Sequence, residues 1–201
     1  MDAGQLIAAG KLKDFLAHLG LTLEEYSVTL DKVPQLVEQG MERLLKMPFP
    51  LASAYVGHSG GKDSVLVQHL ADRVFNVPTL HSTKPTGVEN VVHPLTQKFI
   101  YEQDRVIIHT PLTRQNEVLS YLGLSTQIDG TRIAEHNRDD GRSIDVVING
   151  KSVSRKELPL YLKDGLLGLD FVYPIYDWSD IEVWTTILKL NIPFSDEYYE
   201  L

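Results

Sequence analysis

The chain has 201 residues, 43% of them apolar and 23% charged, which fits a globular protein and excludes a disordered or fibrous one. Basic residues number 19 against 27 acidic, and the formal charge of −8 argues against broad nucleic-acid binding, because such a surface repels phosphate backbones. Cysteine is absent, so these residues supply no disulfide, no cysteine-held zinc or iron–sulfur site and no thiol nucleophile.

Leu12, Phe15, Leu16 and Leu19 recur at i, i+3, i+4 and i+7, and Val33, Leu36, Val37, Met41, Leu44 and Leu45 repeat that rhythm. The pattern predicts two amphipathic helices within residues 1–46, the second stopped by Pro48 and Pro50. Charges at Asp2, Lys11, Lys13 and Asp14 break up residues 1–20, which do not read as a secretion signal. No apolar run approaches the roughly 20 residues of a membrane span, so a cytoplasmic setting without membrane contact is expected.

Residues 51–56 are short, apolar and β-prone, and they run straight into a glycine-rich stretch. Residues 65–74 then read as a helix, 77–81 as a strand, and 91–101 as a helix with Pro94 in its first turn. A third strand at 105–109, a helix at 112–122 and a brief strand at 126–129 follow. Residues 145–148 and 151–153 flank Asn149-Gly150, a pair suited to a type I′ turn, and predict a hairpin. After a late strand at 171–175, Ser179 and Glu182 have capping-box spacing before a helix carrying Ile181, Trp184, Thr185 and Leu188. This alternation predicts an α/β fold: a Rossmann-like, doubly wound, mostly parallel sheet with helices on both faces. Residues 1–50 are expected to form an N-terminal helical extension and 51–201 the α/β domain.

Ser59-Gly60-Gly61-Lys62-Asp63-Ser64 carries the chemistry. It joins a strand to a helix, where an open α/β sheet places its ligand crevice. Two glycines let backbone N–H groups turn toward an anion, and the helix dipole adds positive potential. Ser59 and Ser64 offer hydroxyls, Lys62 a full charge, and Asp63 a carboxylate suited to Mg²⁺. The stretch is not a Walker A loop, since it is one residue short and has Asp where Ser or Thr should follow the lysine. His58, beside the loop, is the one histidine placed to touch a nucleotide, with a backbone-turn role as the alternative. The seven histidines show no metal-ligand spacing. Further on, Gly130-Thr131-Arg132-Ile133-Ala134-Glu135-His136-Asn137-Arg138 offers two forked donors for phosphate or sulfate. Residues 130–156 hold six Arg and Lys against four Asp and Glu, a local excess of positive charge in an acidic chain; otherwise the segment is a solvated loop.

The hexapeptide resembles the PP-loop of the ATP pyrophosphatases, the adenine nucleotide α-hydrolase-like superfamily. The 130–138 stretch is similar to the Gly-x-Arg-x-x-Glu region of the phosphoadenylyl-sulfate (PAPS) reductases and of the small subunit of ATP sulfurylase. The run from Tyr173 to Trp184, followed by Asn191-Ile192-Pro193-Phe194 and Tyr198-Tyr199, continues the likeness. The resemblance implies ATP cleavage to AMP and pyrophosphate with adenylation of an unidentified acceptor. Ser59, Gly60, Gly61, Lys62, Asp63 and Ser64 would hold the phosphates, with His58 and Gly130 beside them. Lys62, Arg132 and Arg138 would act in catalysis, and Mg²⁺ would bind at Asp63. The departures are that this chain lacks the reductases' cysteine, ending about where their tail begins, and that residues 81–87 replace the family's Asp-Thr-Gly. The alternatives are therefore a PAPS- or APS-binding protein relying on an external thiol, or a non-catalytic nucleotide module. The N-terminal helices are an expected contact for a second copy or a partner subunit.

Overall fold

The computed structural model describes residues 6, 10–83, 93–133, 145–148, 151–154, 159–165 and 168–199. In chain order the helices are α1 (Leu12–His18), α2 (Leu23–Leu30), α3 (Val33–Leu45), α4 (Lys62–Val74), α5 (Pro94–Tyr101), α6 (Gln115–Leu122) and α7 (Asp180–Lys189). The strands are β1 (Ala54–Gly57), β2 (Thr79–Thr83), β3 (Ile107–Pro111), β4 (Thr126–Ile128), β5 (Asp145–Ile148), β6 (Lys151–Ser154), β7 (Tyr161–Leu162) and β8 (Asp170–Val172).

Six strands form one sheet in the order β3-β2-β1-β4-β8-β7, parallel except for β7, which runs antiparallel to β8 at the edge. β5 and β6 form the expected antiparallel hairpin, with Asp145 opposite Ser154; its turn residues 149–150 lie outside the described residues. The α/β, Rossmann-like expectation is met. Chain direction reverses about β1: β2 and β3 are laid down on one side, β4 and β8 on the other. The crevice at the carboxyl ends of β1 and β4 is therefore the topological switch point.

Strand alternation sorts the core into two layers. Ala54 and Val56 face the larger cluster with Ile128 and Val172, while Tyr55 points the other way, with Leu80, Phe171 and Leu119 of α6. α4 and α7 cover the first face, contributing Leu66, Leu70, Trp184 and Ile187.

The N-terminal region holds three described α-helices where the periodicity predicted two. The additional one, α2, starts at Thr22, whose Oγ1 accepts from Glu25 N–H at 3.1 Å while Glu25 Oε2 accepts from Thr22 N–H at 2.8 Å. Phe15, Leu16, Tyr26, Val37 and Leu44 join the same apolar cluster as α4 and α7, and the Phe15 ring meets Trp184 edge-on at 5.5 Å. A Cβ at Gly40 would stand 2.8 Å from Leu70 Cδ1, so the α3 backbone lies directly against a side chain of α4. Arg43 clamps Asp177 through two bonds of 2.6 and 2.8 Å. The apolar stripes of these helices thus face the chain's own core.

Candidate functional site

β1 ends at Gly57, and residues 58–61 turn the chain into α4. Gly60 adopts φ +83°, a left-handed conformation that favours glycine, and a Cβ there would stand 2.5 Å from Thr96 Cγ2 and 2.7 Å from Ile100 Cδ1. Gly61 is the N-cap of α4 with ordinary extended torsions. At Gly130 a Cβ would stand 2.9 Å from the Asp63 carbonyl carbon and 3.0 Å from Ser64 N, so the turn after β4 packs directly on the first turn of α4.

A cavity of about 500 Å³ opens over this junction, within the range of small-ligand sites. Ser59, Gly61, Lys62, Asp63 and Ser64 form one wall, with Gly130 and Thr131 beside them. Tyr55, Ser82, Gln115, Gln127 and Asp129 add further polar groups to the lining. There Gln127 links Tyr55 to Asp129: Tyr55 OH donates to Gln127 Oε1 at 2.7 Å, and Gln127 Nε2 donates to Asp129 Oδ2 at 2.7 Å. Asp129 Oδ1 also accepts from Thr131 N–H at 2.8 Å. Burial pushes the Tyr55 phenol upward, so it stays a neutral donor.

Side chains hold the loop amides. Gly60 N–H donates to His58 Nδ1 at 3.1 Å, Gly61 N–H to Ser59 Oγ at 3.3 Å, and Lys62 N–H to Tyr198 OH at 3.0 Å. Ser64 Oγ donates to the Gly61 carbonyl at 2.9 Å and accepts from Ser59 N–H at 3.2 Å. His58 is therefore a turn-shaping residue, although it also lines the cavity. Its Nε2 lies 2.6 Å from the amide of Gln68. Burial, reinforced by His81 and Arg105, lowers its pKa to about 4, so the ring is neutral near pH 7.

The charged residues form a compact quartet. Lys62 Nζ lies 3.0 Å from Asp63 Oδ2 and 3.2 Å from Asp180 Oδ1. The fully buried Arg132 guanidinium donates through Nε to Asp63 Oδ1 at 2.7 Å, through Nη2 to Asp180 Oδ1 at 2.7 Å, and through Nη1 to the Trp178 carbonyl at 2.9 Å. Burial works against ionisation of Asp180, but Lys62 and Arg132 outweigh it and hold the carboxyl below the usual range.

The loop residues, Gly130 and Arg132 thus come together, but Arg132 sits beneath the loop with each guanidinium nitrogen engaged, away from the cavity wall. Arg138 lies outside the described residues, as do Glu135 and His136. Asp180 and Tyr198 were not singled out by the sequence reading. The first falls within a helix-capping run and a family likeness, the second only within a family likeness, and nothing local in either points to a partner in the loop.

No family model matches the chain. An adenosine 5'-phosphosulfate reductase of Neisseria meningitidis serogroup A is 44% identical over 48 residues, which is 24% of this chain and 20% of the relative. Its serogroup B counterpart is 42% identical over the same length. The match spans only about a fifth of these curated relatives, 20% in each. Among solved structures, the Candida glabrata FMN adenylyltransferase in complex with ATP aligns over 93% of this chain and 68% of its own, at a TM-score of 0.59 and 14% identity. The same enzyme with FAD and inorganic pyrophosphate aligns at a TM-score of 0.57 and 13% identity, over 98% of this chain and 69% of its own. The PAPS reductase of Candida auris in a phosphate complex aligns over 88% and 91%, at a TM-score of 0.53 and 12% identity. These likenesses concern the fold.

Proposed function

We propose that the chain is a PP-loop protein similar to the PAPS reductases, which binds an adenine nucleotide and cleaves ATP to adenylate an acceptor. The observation that carries this reading is the cavity of about 500 Å³ bounded by residues 59–64 at the switch point of the sheet. The structural relatives described with ATP, pyrophosphate or phosphate support it.

In this reading the phosphates lie against the 59–64 wall, where the α4 dipole and Lys62 face them. An anionic acceptor oxygen attacks the α-phosphorus, the bond from that phosphorus to the bridging oxygen breaks, and pyrophosphate leaves with the electron pair. No protein nucleophile is needed; the chain positions the groups and offsets charge. Lys62 turns to the leaving pyrophosphate, while Arg132 fixes Asp63 and the first turn of α4.

Asp63 does not fit Mg²⁺ as arranged, because Arg132 engages one carboxylate oxygen and Lys62 the other. Among the described residues no group of three His, Asp or Glu side chains is placed to hold a metal.

Calorimetric titration with ATP, APS, PAPS and adenosine 3′,5′-bisphosphate, joined to pyrophosphate release across candidate acceptors, tests the proposal. ATP binding with acceptor-dependent release is expected, and Lys62→Ala should lower kcat more than affinity. Failure of every nucleotide to bind would overturn the reading. The short stretch shared with APS reductases favours one alternative: a sulfonucleotide ligand, with reducing equivalents from a separate thiol molecule. PAPS or APS binding without ATP binding would select it.

A further inference from the structure

Asp180 opens α7, yet its carboxylate lies at the glycine loop. Lys62 is the only cationic side chain among the described residues lining the cavity, against the carboxylates of Asp63 and Asp129. The quartet of Lys62, Arg132, Asp63 and Asp180 sums to zero charge, so the loop's lysine is already compensated within the fold. An incoming phosphate must therefore draw Lys62 away from a carboxylate.

The two carboxylates are not equivalent in that exchange. Asp63 precedes Ser64 in the same helical turn, is largely buried, and is pinned by Arg132 Nε at 2.7 Å. Asp180 is half exposed and shares a single oxygen between Lys62 and Arg132. Water can replace Lys62 at Asp180 at small cost, whereas the Asp63 carboxylate, only 15% exposed, is less open to such replacement. Arg132 would keep Asp63 and the Trp178 carbonyl if Asp180 let go.

Resting on the nucleotide reading above, we propose that Asp180 is an internal competitor for Lys62, whose carboxylate sets how anionic a ligand must be to enter the loop. A pyrophosphate group carries enough charge to take Lys62 over; a single phosphate does not. Asp180 is thus a positioning residue that selects ligands with two or more linked phosphates, without touching them.

The test is calorimetry with inorganic pyrophosphate and inorganic phosphate. Wild type is expected to bind pyrophosphate and to discriminate against phosphate. Asp180→Asn should bind pyrophosphate about tenfold more tightly, because one unit of opposing charge beside Lys62 is removed. The gain should vanish in a Lys62→Gln background, and Asp180→Glu should return affinity toward wild type. Structural damage would weaken binding, so a gain separates competition from a scaffolding role. Asp180→Ser, which keeps a small polar group at the start of α7, repeats the test if the Asn form folds poorly. Wild-type binding with no tightening in the variants overturns the competition, as does a gain that persists without Lys62. Absence of both pyrophosphate and ATP binding in wild type overturns the nucleotide reading as well.

Discussion

Gly60 and Gly61 stand side by side with opposite tolerances. Alanine at Gly60 would have to hold φ +83° and drive its Cβ into Thr96 and Ile100. Gly60→Ala is therefore expected to lower unfolding stability by about 2–4 kcal/mol, combining backbone strain with overpacking. At Gly61 the added Cβ meets Ser59 Oγ at 3.4 Å and Tyr198 OH at 3.7 Å, so Gly61→Ala should stay within about 0.5 kcal/mol. Urea titration of the pair checks this, and equal losses would contradict the assigned geometry. Arg132 is the other decisive residue. Removing its guanidinium leaves Asp63 and Asp180 beside one lysine, and Arg132→Ala should cost about 3–5 kcal/mol. Arg132→Lys should recover little, since one ammonium cannot span two carboxylates and a carbonyl; near-wild-type melting of the Lys form would refute that role. The loop was legible because its residues are contiguous and each type has a local meaning. The quartet was not. A guanidinium spent on Asp63, Asp180 and Trp178 reads in sequence like one free for phosphate, because its partners lie 46–69 positions away.

At the level of elements, the two capping boxes offer a matched comparison. Ser179 and Glu182 close the start of α7, with Glu182 Oε2 accepting from Ser179 N–H at 2.8 Å, and Thr22 and Glu25 do the same for α2. Ser179→Ala and Thr22→Ala should each cost about 1 kcal/mol. Only the first should also shift pyrophosphate affinity, because Ser179 fixes the helix start that carries Asp180. Equal ligand affinity in the two variants would separate α7 from the loop. The Ser179 box is legible in the sequence, whereas the same spacing at Thr22 stands beside a helix with a weaker apolar stripe than α3. β7 was not legible at all: two residues, Tyr161–Leu162, have no periodicity and owe their conformation to pairing with β8. β2 starts at Thr79 and not at Val77, since Pro78 has no N–H for a ladder. Val77 is buried in the core ahead of the strand, so its apolar character predicted burial correctly and strand position wrongly.

Across the whole molecule, the N-terminal helices, α4 and α7 share one core, and the loop is fastened to that core from below. His58 belongs to this fastening: it is 3% exposed, accepts the Gly60 amide and faces Gln68 of α4. Its pKa falls from 6.5 to about 4 in the folded protein, chiefly through burial, with the charges of His81 and Arg105 adding to it. Between those two values the unfolded chain binds a proton at this residue that the folded chain refuses. Folding stability must therefore decline as pH drops from 6.5 toward 4, and this contribution levels off below that window. The full loss is on the order of 3 kcal/mol. Protonation of Nδ1 would also take the acceptor from Gly60 N–H, so acid reaching His58 loosens the loop. His58→Asn puts an amide oxygen near the Nδ1 position without a titrating ring. Its stability should fall less steeply than wild type across the same window, measured by urea midpoints at half-unit steps of pH. Parallel curves for the two proteins would show that acid sensitivity arises elsewhere in the fold.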